Sequence, residues 1–600
     1  MRKLLFTIFL LINVLKYSCI SNTVTLDETI EYPENIRPKV AVVLSGGGAR
    51  GISQVGVLKQ LVEYKIPIDY IVGTSIGSII GGLYCAGYTP QELDSILIST
   101  NWGDIFALTG EQDRSNLFLD QKIIKDRSLI TLRFKNFEFV VPEAMVTGAR
   151  LNEFLQNLIW NSIYQEENNF DSLKIPFRSV ATDLVKGRSV SLNSGNIVTA
   201  MRASAAIPLR NTPVRIGDMV LVDGGLKANI PLTQAEELNP DIIIVVNTIS
   251  PLLEPQELNK PWNLADQVVS IMMMDYSIIA LQKADIIIQP ELNNHSNIDF
   301  LNLSDLIFKG EVATRKIIPY LRNLYFNKLD TIFENKFYEK ILKSLDAKKI
   351  TYIESFGFNQ IDKEIISNLN SVKSNINILC NSLLNTLKSI STEDNYENIN
   401  IKISQKDSSQ FIILTAKKYP QIERIILYGD TQCLDANLEY NIINELENSS
   451  LSKKNFEFIK ESLVRNMRKN GYSFATASNF MLDTLGKNLS VTISSGKINS
   501  ITLIGNDFSN DFLVKRELKF KENEILNSQK IMESWENLIS TEYFSEVEFF
   551  VTRVDNSKAV DVFVRLVEKP TQIVSLGARA DNERKDRKST RLNSSHGKLS

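Results

Sequence analysis

A serine stands between an apolar strand and a helix, and this junction constrains the fold more than any other stretch of the 600-residue chain. Residues 70–72 are apolar and β-prone, residues 73–77 spell G-T-S-I-G, and a helix-compatible run follows. In a G-x-S-x-G turn the glycines leave room for a strained backbone that lifts the serine Oγ to the start of the helix, where backbone amides can meet developing negative charge. The pattern predicts a nucleophile elbow made of Gly73, Thr74, Ser75, Ile76 and Gly77.

Apolar strands alternate with helices on either side of this elbow. Residues 40–44 form a fully apolar strand that leads into a glycine loop at 46–51, and a helix follows with Val55, Leu58 and Val62 on one face. Such strands are typical of a parallel sheet with helices on both faces. Further strands are predicted at 177–183, 219–222 and 241–246, with a short helix at 201–208 and helical material to about residue 327. The alternation predicts an α/β fold.

The glycine loop fits two kinds of site. Gly46, Gly48 and Gly51 have the G-x-G-x-x-G spacing of a dinucleotide-binding loop, and Asp69 stands where a ribose-binding acid is expected. A P-loop is excluded because no Gly-Lys-Ser/Thr follows. The other possibility is an oxyanion hole, in which successive amides bind one anionic oxygen beside a serine. The serine elbow on the next strand favours the oxyanion hole, because adjacent parallel strands bring both turns to one edge of the sheet.

A serine nucleophile needs a base, and the chain has only two histidines. His295 lies in a polar loop and is expected to be a solvated surface residue, and His596 belongs to a tail excluded below. Asp223 follows an apolar strand and precedes two glycines, so it is expected at the same carboxyl edge as Ser75, although Asp-Gly-Gly is also a common turn sequence. A carboxylate can take the Oγ proton and later return it, which favours a Ser75–Asp223 dyad.

Four motifs together resemble the patatin-like phospholipases in order and spacing. They are residues 46–51, 73–77, 203–208 and 223–225, and the resemblance covers about residues 38–320. It implies a three-layer α/β/α hydrolase domain and hydrolysis of fatty-acyl esters in phospholipids or related lipids. It implies a Ser75–Asp223 dyad, with no metal and no cofactor.

The same resemblance assigns further residues. The implied oxyanion hole comprises Gly46, Gly47, Gly48, Arg50 and Gly51, and the implied Asp-Gly-Gly motif comprises Asp223, Gly224 and Gly225. Arg50 matches the basic position of the family, where it would stabilise the loop or attract a phosphate headgroup.

The N-terminus predicts export. Two basic residues precede an apolar run at 4–15 that is too short for a comfortable membrane span, so residues 1–21 are predicted to be a signal peptide. Cys19 raises the alternative of a lipid anchor, but Lys16 stands where such signals carry an aliphatic residue. Residues 22–37 are expected to be a loose lead-in.

Charge and cysteine content exclude some functions. The net charge of −3 and the absence of a dense basic stripe argue against nucleic-acid binding. Cys85, Cys380 and Cys433 show neither pairing nor metal-ligand spacing, so they are expected to be buried small hydrophobic residues.

The second half contains an internal repeat. Gly357, Gly429 and Gly505 are spaced 72 and 76 residues apart, and isoleucines lie seven and four residues before each. Each unit is predicted to run strand, helix, helix, strand, strand. The units resemble POTRA domains, periplasmic modules thought to bind extended clients by adding a strand at a sheet edge; a generic α+β spacer is the alternative. The predicted bounds are a helical linker at 321–348 and repeats at 349–420, 421–497 and 498–570.

The C-terminal residues complete the predicted organisation. Residues 571–585 alternate like the first strand of an outer-membrane barrel, and residues 586–600 resemble a translated sequencing adapter, so they are left out of the fold prediction. The whole chain is expected to be an exported lipid acyl hydrolase of a double-membrane bacterium that acts at a membrane surface and is joined in cis to an outer-membrane barrel. The alternatives are an outer-membrane secretion or assembly component with a passenger or relic hydrolase and, more distantly, a nucleotide-binding protein.

Overall fold

The structure is a computed structural model that describes most of the chain. The described residues are 26–32, 37–105, 130–135, 138–139, 148–333, 350–569, 572–579 and 589–594, with short gaps inside the longer ranges. The predicted signal peptide with Cys19, part of the predicted linker, and His596 lie outside them.

The strands and helices of the first half alternate as predicted. The strands are β1 (Leu26–Tyr32), β2 (Val40–Leu44), β3 (Tyr70–Thr74), β4 (Ile130–Lys135), β5 (Glu138–Phe139), β6 (Phe177–Asp183), β7 (Arg188–Leu192), β8 (Val214–Ile216), β9 (Met219–Asp223), β10 (Ile242–Val246) and β11 (Ile286–Ile288). The helices are α1 (Ser53–Glu63), α2 (Ile76–Cys85), α3 (Pro90–Ser99), α4 (Trp102–Ile105), α5 (Ala149–Asn161), α6 (Ile197–Ser204), α7 (Gly225–Ala228), α8 (Leu232–Glu236), α9 (Pro261–Lys283) and α10 (Leu303–Phe333).

An eight-stranded sheet lies at the centre of this domain, in the order β11-β10-β2-β3-β6-β9-β8 with β7 added on β6. Successive residues of β2 enter different cores: Val40, Val42 and Leu44 pack on one face, and Ala41 and Val43 pack on the other. A strand buried on both faces needs helices above and below it. The predicted three-layer α/β/α fold is therefore confirmed. Helix α10 continues past the predicted domain end at residue 320.

The second half contains three small sheets, each with helices between its first and second strands. The elements of the first repeat are β12 (Ile350–Phe356), α11 (Gln360–Ser367), α12 (Ile376–Ser391), β13 (Tyr396–Lys406) and β14 (Ser409–Lys418). Those of the second are β15 (Arg424–Gly429), α13 (Leu438–Glu445), α14 (Lys453–Lys469), β16 (Thr476–Leu482) and β17 (Asn488–Ser494). Those of the third are β18 (Lys497–Ile504), α15 (Asp511–Glu517), α16 (Ser528–Ser540), β19 (Phe544–Arg553) and β20 (Ala559–Glu568).

All three repeats share one topology, which confirms the predicted order of elements. The last strand is central; the first strand pairs with it in parallel and the second strand pairs with it antiparallel. Gly357, Gly429 and Gly505 end or follow the first strand with φ of 82°, 89° and 85°. This left-handed conformation is open to glycine at little cost, which explains why the repeat is marked by a glycine.

The expectation of a loose lead-in at 22–37 is wrong for residues 26–32. Strand β1 pairs antiparallel with β13 over seven residues, from Leu26 opposite Gln405 to Tyr32 opposite Ile399. The segment is polar in sequence, yet an edge strand needs only one protected face and a free backbone partner. Near the C-terminus, β21 (Gln572–Arg579) pairs with β4 and with β22 (Ser589–Ser594). A strand at 572–579 agrees with the predicted alternation there; its assignment to a barrel stays a prediction.

The cysteines behave as predicted, since Cys85, Cys380 and Cys433 are buried and unpaired. Burial raises the pKa of each thiol, to about 11 for Cys380 and Cys433. In the described part of the chain, no helix combines the length and the apolar character needed to cross a membrane.

Candidate active site

Ser75 is the N-cap of helix α2 and has a backbone conformation that residues other than glycine seldom adopt. Its φ is 54° and its ψ −124°, a strained combination that costs on the order of 1–3 kcal/mol. Its carbonyl accepts the amides of Ser78 and Ile79, so the helix starts at once. A Cβ on Gly77 would lie 2.4 Å from the carbonyl oxygen of Leu44, which explains the glycine two residues after the serine. This is the geometry expected of a nucleophile elbow.

The other elbow residues hold the turn against its surroundings. Thr74 donates its hydroxyl to the carbonyl of the last residue of α7 at 2.7 Å. Gly73 lies so close to the start of α2 that a Cβ there would be 2.4 Å from the carbonyl oxygen of Gly77. Ile76 packs on the glycine loop, since a Cβ on Gly51 would be 2.1 Å from Ile76 Cγ2. The elbow and the glycine loop therefore form one packed unit.

The two residues predicted to form a dyad are in contact. Ser75 Oγ donates to Asp223 Oδ2 at 2.7 Å. The other oxygen, Oδ1, accepts the amide of Gly225 at 2.7 Å, which holds the carboxylate in place. Gly224 fits where a Cβ would come within 2.1 Å of the carbonyl oxygen of Val180. Asp223 is buried, so its carboxylate faces the serine with little competition from water.

Asp223 reaches the serine by a route that the sequence argument did not foresee. Asp223 was expected at the same carboxyl edge as Ser75, but the strand before it runs against its neighbour, because β9 pairs antiparallel with β6. Thr74 pairs with Val180 near the middle of β6, and β6 runs on past the end of β3. Strand β9 pairs with this extension, so Asp223, opposite Ala181, meets the elbow from the other direction.

The glycine loop after β2 supplies fewer free amides than predicted. The amide of Gly46 donates to the carbonyl of Asn229 at 3.0 Å, so the prediction that it binds an oxyanion is wrong. The amides of Gly47 and Gly48 have no hydrogen-bond partner within the described ranges. A Cβ on Gly46 would lie 3.4 Å from Ser75 Cβ. The loop therefore approaches the nucleophile closely and leaves two amides available beside it.

Arg50 is buried, and its guanidinium binds backbone carbonyls. It donates to the carbonyls of Leu292 at 2.6 Å, His295 at 2.9 Å, Thr248 at 3.2 Å and Ile249 at 3.3 Å. Burial lowers the pKa of the guanidinium. Of the two roles considered from the sequence, these contacts favour stabilisation of the loop over attraction of a headgroup.

Ser204 is a site residue to which the sequence argument gave no role. It is fully buried at the end of α6, where its Oγ accepts the amide of Ser75 at 2.9 Å and donates to the carbonyl of Val180 at 2.5 Å. It lies in the recognised motif 203–208, so the signal was present, but a small polar residue in an apolar helix does not indicate which backbone group it binds.

His295 is not the solvated residue that was expected. Only 9% of its side-chain surface is exposed, and Nε2 lies 2.8 Å from Asp305 Oδ2. Hydrogen bonds from Lys309 and His295 lower the pKa of Asp305. This contact, together with the carbonyl that His295 offers to Arg50, makes the histidine part of the scaffold behind the loop. Within the described residues, no group of three or more His, Cys, Asp or Glu side chains could hold a metal ion.

Two parts of the chain match family models. Residues 42–236 match the model described as patatin-like phospholipase, and residues 496–569 match the POTRA model, described as surface antigen variable number repeat.

Curated relatives and solved structures are also similar to parts of this chain. An uncharacterized NTE family protein of Mycobacterium bovis is 29% identical over 210 residues, which cover 35% of this chain and 49% of the relative. Lysophospholipase NTE1 of Yarrowia lipolytica is 25% identical over 309 residues, covering 47% of this chain and 20% of the relative. The chain thus spans about half the length of these relatives, or less. POTRA domains 1–3 of the periplasmic domain of Omp85 from Anabaena match 37% of this chain and 96% of that structure, at 12% identity and a TM-score of 0.28.

The motifs, the sheet order and the two model matches lead to one assignment: the chain carries a domain of the patatin-like phospholipase family at residues 42–236 and a POTRA repeat at residues 496–569.

Proposed function

We propose that the chain is a lipid acyl hydrolase of the phospholipase A or lysophospholipase type, which cleaves fatty-acyl esters through Ser75 and Asp223. The observation that carries the proposal is the 2.7 Å hydrogen bond from Ser75 Oγ to Asp223 Oδ2 at the start of helix α2. The match to the patatin-like phospholipase model and the lysophospholipase name of the Yarrowia relative support the same substrate class.

In the first half-reaction, Asp223 takes the proton of Ser75 Oγ while that oxygen bonds to the ester carbonyl carbon. The carbonyl oxygen becomes an oxyanion, which the amides of Gly47 and Gly48 and the N-terminus of α2 stabilise. The bond to the leaving alcohol then breaks, and the alcohol takes the proton from Asp223. In the second half-reaction, Asp223 takes a proton from water, whose oxygen attacks the acyl carbon. The proton returns to Ser75 Oγ as the fatty acid leaves, and neither half-reaction calls for a metal or a cofactor.

The test is hydrolysis of phospholipid and lysophospholipid vesicles by the full chain. Ser75→Ala and Asp223→Ala should abolish fatty-acid release while the melting temperature stays close to that of the wild type. Ser78→Ala is the matched control, because Ser78 is a buried serine one helical turn away whose hydroxyl binds Ser179 at 2.8 Å. Release at the wild-type rate by the Ser75→Ala protein would remove the assignment.

We further propose that helix α9 rests on the lipid surface that presents the substrate. Leu264, Val268, Ile271 and Ile278 follow each other at helical spacing, and about half of each side chain is exposed. The helix packs against α7, which begins two residues after Asp223, so α9 lies near the proposed site. Contiguous exposed apolar faces often mark interaction surfaces.

The membrane contact predicts a difference between substrates. Val268→Asn together with Ile271→Asn should lower vesicle binding and vesicle hydrolysis, and should leave hydrolysis of a soluble short-chain ester unchanged. Leu485→Asn is a matched control, since Leu485 is an exposed apolar residue of the second repeat. An equal loss with both kinds of substrate would contradict the membrane role.

We propose that the chain has the domain bounds predicted from the sequence, with the hydrolase domain extended to the end of α10. We also propose that the protein lies in the cell envelope and has an outer-membrane barrel as its partner. The POTRA match supports this location. Protease accessibility of the hydrolase domain on intact and on permeabilised cells tests it. If the hydrolase faces the periplasm, only permeabilised cells should allow cleavage.

The same POTRA match favours a second candidate function, an outer-membrane secretion or assembly component with a passenger hydrolase. Cells that lack the chain would then show an assembly defect, which the Ser75→Ala chain would restore completely. Restoration only by the catalytically intact chain would favour the hydrolase.

A further inference from the structure

The hydrolase domain and the second and third repeats share a packed interface. Trp160, at the end of α5, is buried in the core of the third repeat, 6.1 Å from the ring of Phe474. Ser473 donates its hydroxyl to Asn161 at 3.0 Å, and its carbonyl accepts Gln165 at the same distance. A buried tryptophan surrounded by satisfied polar contacts is the usual make-up of a stable interface.

Charged groups extend this interface toward the second repeat. Lys174 lies 2.7 Å from Glu461, and Arg465 pairs with Glu92. Arg468 donates to the carbonyl of Ser162 at 3.2 Å, and its burial lowers its pKa to about 9. The repeats therefore contact the hydrolase through Arg468 and two ion pairs, all of which are partly buried.

One part of the interface leads directly to the proposed catalytic pair. Arg202, on α6, donates to Glu548 of strand β19 at 3.4 Å, and both side chains are about nine-tenths buried. Two residues further on, Ser204 accepts the amide of Ser75 at 2.9 Å. Ala206 lies two residues after Ser204, and its carbonyl accepts a hydrogen bond from the amide of Asp223 at 2.8 Å.

Segment 202–206 thus contacts the third repeat at one end and both members of the proposed dyad at the other. Arg202, Ala205 and Ala206 also line a small cavity beside this segment. The cavity offers space into which the segment can shift when Arg202 loses Glu548, the nearer of the two carboxylates beside it. Ser75 has a strained backbone, and such residues keep their conformation only where their surroundings over-determine it.

We propose that Glu548 of the third repeat is a positioning residue for the hydrolase, acting through Arg202 and segment 202–206 on Ser75 and Asp223. The hydrolase then works at full rate only when docked on the third repeat. This inference rests on the proposed function.

The test compares two ion pairs of the same interface in the full chain. Glu548→Gln should lower kcat for a soluble short-chain ester by about 3- to 30-fold, which lies within the range of coupling energies for residues in direct contact, with KM little changed. Glu461→Gln, in the pair with Lys174, should leave kcat within about twofold, because that pair does not touch segment 202–206. If Glu548 acts only through Arg202, the double variant Arg202→Met with Glu548→Gln should have the same kcat as the single variant Arg202→Met.

A second variant keeps the test decisive if Glu548→Gln is poorly folded. Arg202→Lys retains the charge and should recover part of the kcat that Arg202→Met loses, at equal melting temperature. Equal kcat losses for Glu548→Gln and Glu461→Gln, or wild-type kcat for Arg202→Met, would overturn the inference. A wild-type chain without esterase activity would instead overturn the proposed function.

Discussion

Replacing Asp223 by asparagine removes the proposed base and changes little else around it. Asparagine has the same shape, and its carbonyl oxygen can still accept the amide of Gly225, now bound by Asp223 Oδ1 at 2.7 Å. In the variant, the amide nitrogen takes the place of Oδ2 and faces Ser75 Oγ, which lies 2.7 Å from Oδ2 in the wild-type protein. An amide nitrogen only donates, so it cannot take the serine proton.

The size of the effect follows from these contacts. General-base catalysis contributes roughly 10²- to 10⁴-fold, so kcat of Asp223→Asn should fall by this factor, which corresponds to about 3–5 kcal/mol in the activation free energy. The folded state exchanges a hydrogen bond to a charged acceptor for one between neutral groups, which costs about 1 kcal/mol. The loss of activity should therefore far exceed the loss of stability.

The assay is steady-state hydrolysis of a soluble short-chain nitrophenyl ester, with thermal unfolding of the same preparations. Asp183→Asn is the matched control, because Asp183 is a buried carboxylate at the end of the neighbouring strand, where Oδ1 accepts the amide of Val185 at 3.0 Å. The reasoning is refuted if Asp223→Asn keeps more than about a tenth of the wild-type kcat, or if the Asp183 variant loses as much.

Three further predictions concern stability. Arg50→Lys should lower the free energy of unfolding by about 2–4 kcal/mol in urea titration, because an ammonium group cannot serve the four carbonyls that the guanidinium binds; a loss below 0.5 kcal/mol would contradict this. Gly77→Ala should cost about 1–3 kcal/mol, since its Cβ would lie 2.4 Å from the Leu44 carbonyl oxygen, and it should also lower kcat; unchanged denaturation and kinetics would show that the turn has room. Burial, with repulsion from Glu536, raises the pKa of Glu153 from 4.5 to about 7, so the folded state loses stability as pH rises through this interval, and Glu153→Gln should raise the melting temperature more at pH 8 than at pH 5; an equal gain at both pH values would argue against the shift.

The features that local patterns determine could be predicted from the sequence. The apolar run before Ser75 and the glycines around it allow few other structures, so strand, turn and helix follow from short-range sterics. The repeat was visible because Gly357 and its two counterparts occupy left-handed positions that other residues fill at a cost.

The features that depend on distant partners could not be predicted. Asp223 was expected beside Ser75 because it follows an apolar strand, and the two side chains are in contact, whereas the direction of β9 is set by its pairing with the end of β6. The amide of Gly46 donates to the carbonyl of Asn229, and no sequence pattern near residue 46 predicts that hydrogen bond. Strand β1 forms only because β13 offers a free edge nearly 400 residues later in the chain.

Strand β1 also determines how the hydrolase is tethered. The chain leaves the sheet of the first repeat at Tyr32, builds the hydrolase, and returns to that sheet at Ile350. A single protease cut between the hydrolase and the first repeat would therefore not release the hydrolase, because the seven residues of β1 before it stay paired with β13. Cutting the chain at residue 37 to isolate the hydrolase would separate it from β1, the edge strand of the first repeat's sheet. The first repeat is therefore built from residues on both sides of the hydrolase in the sequence.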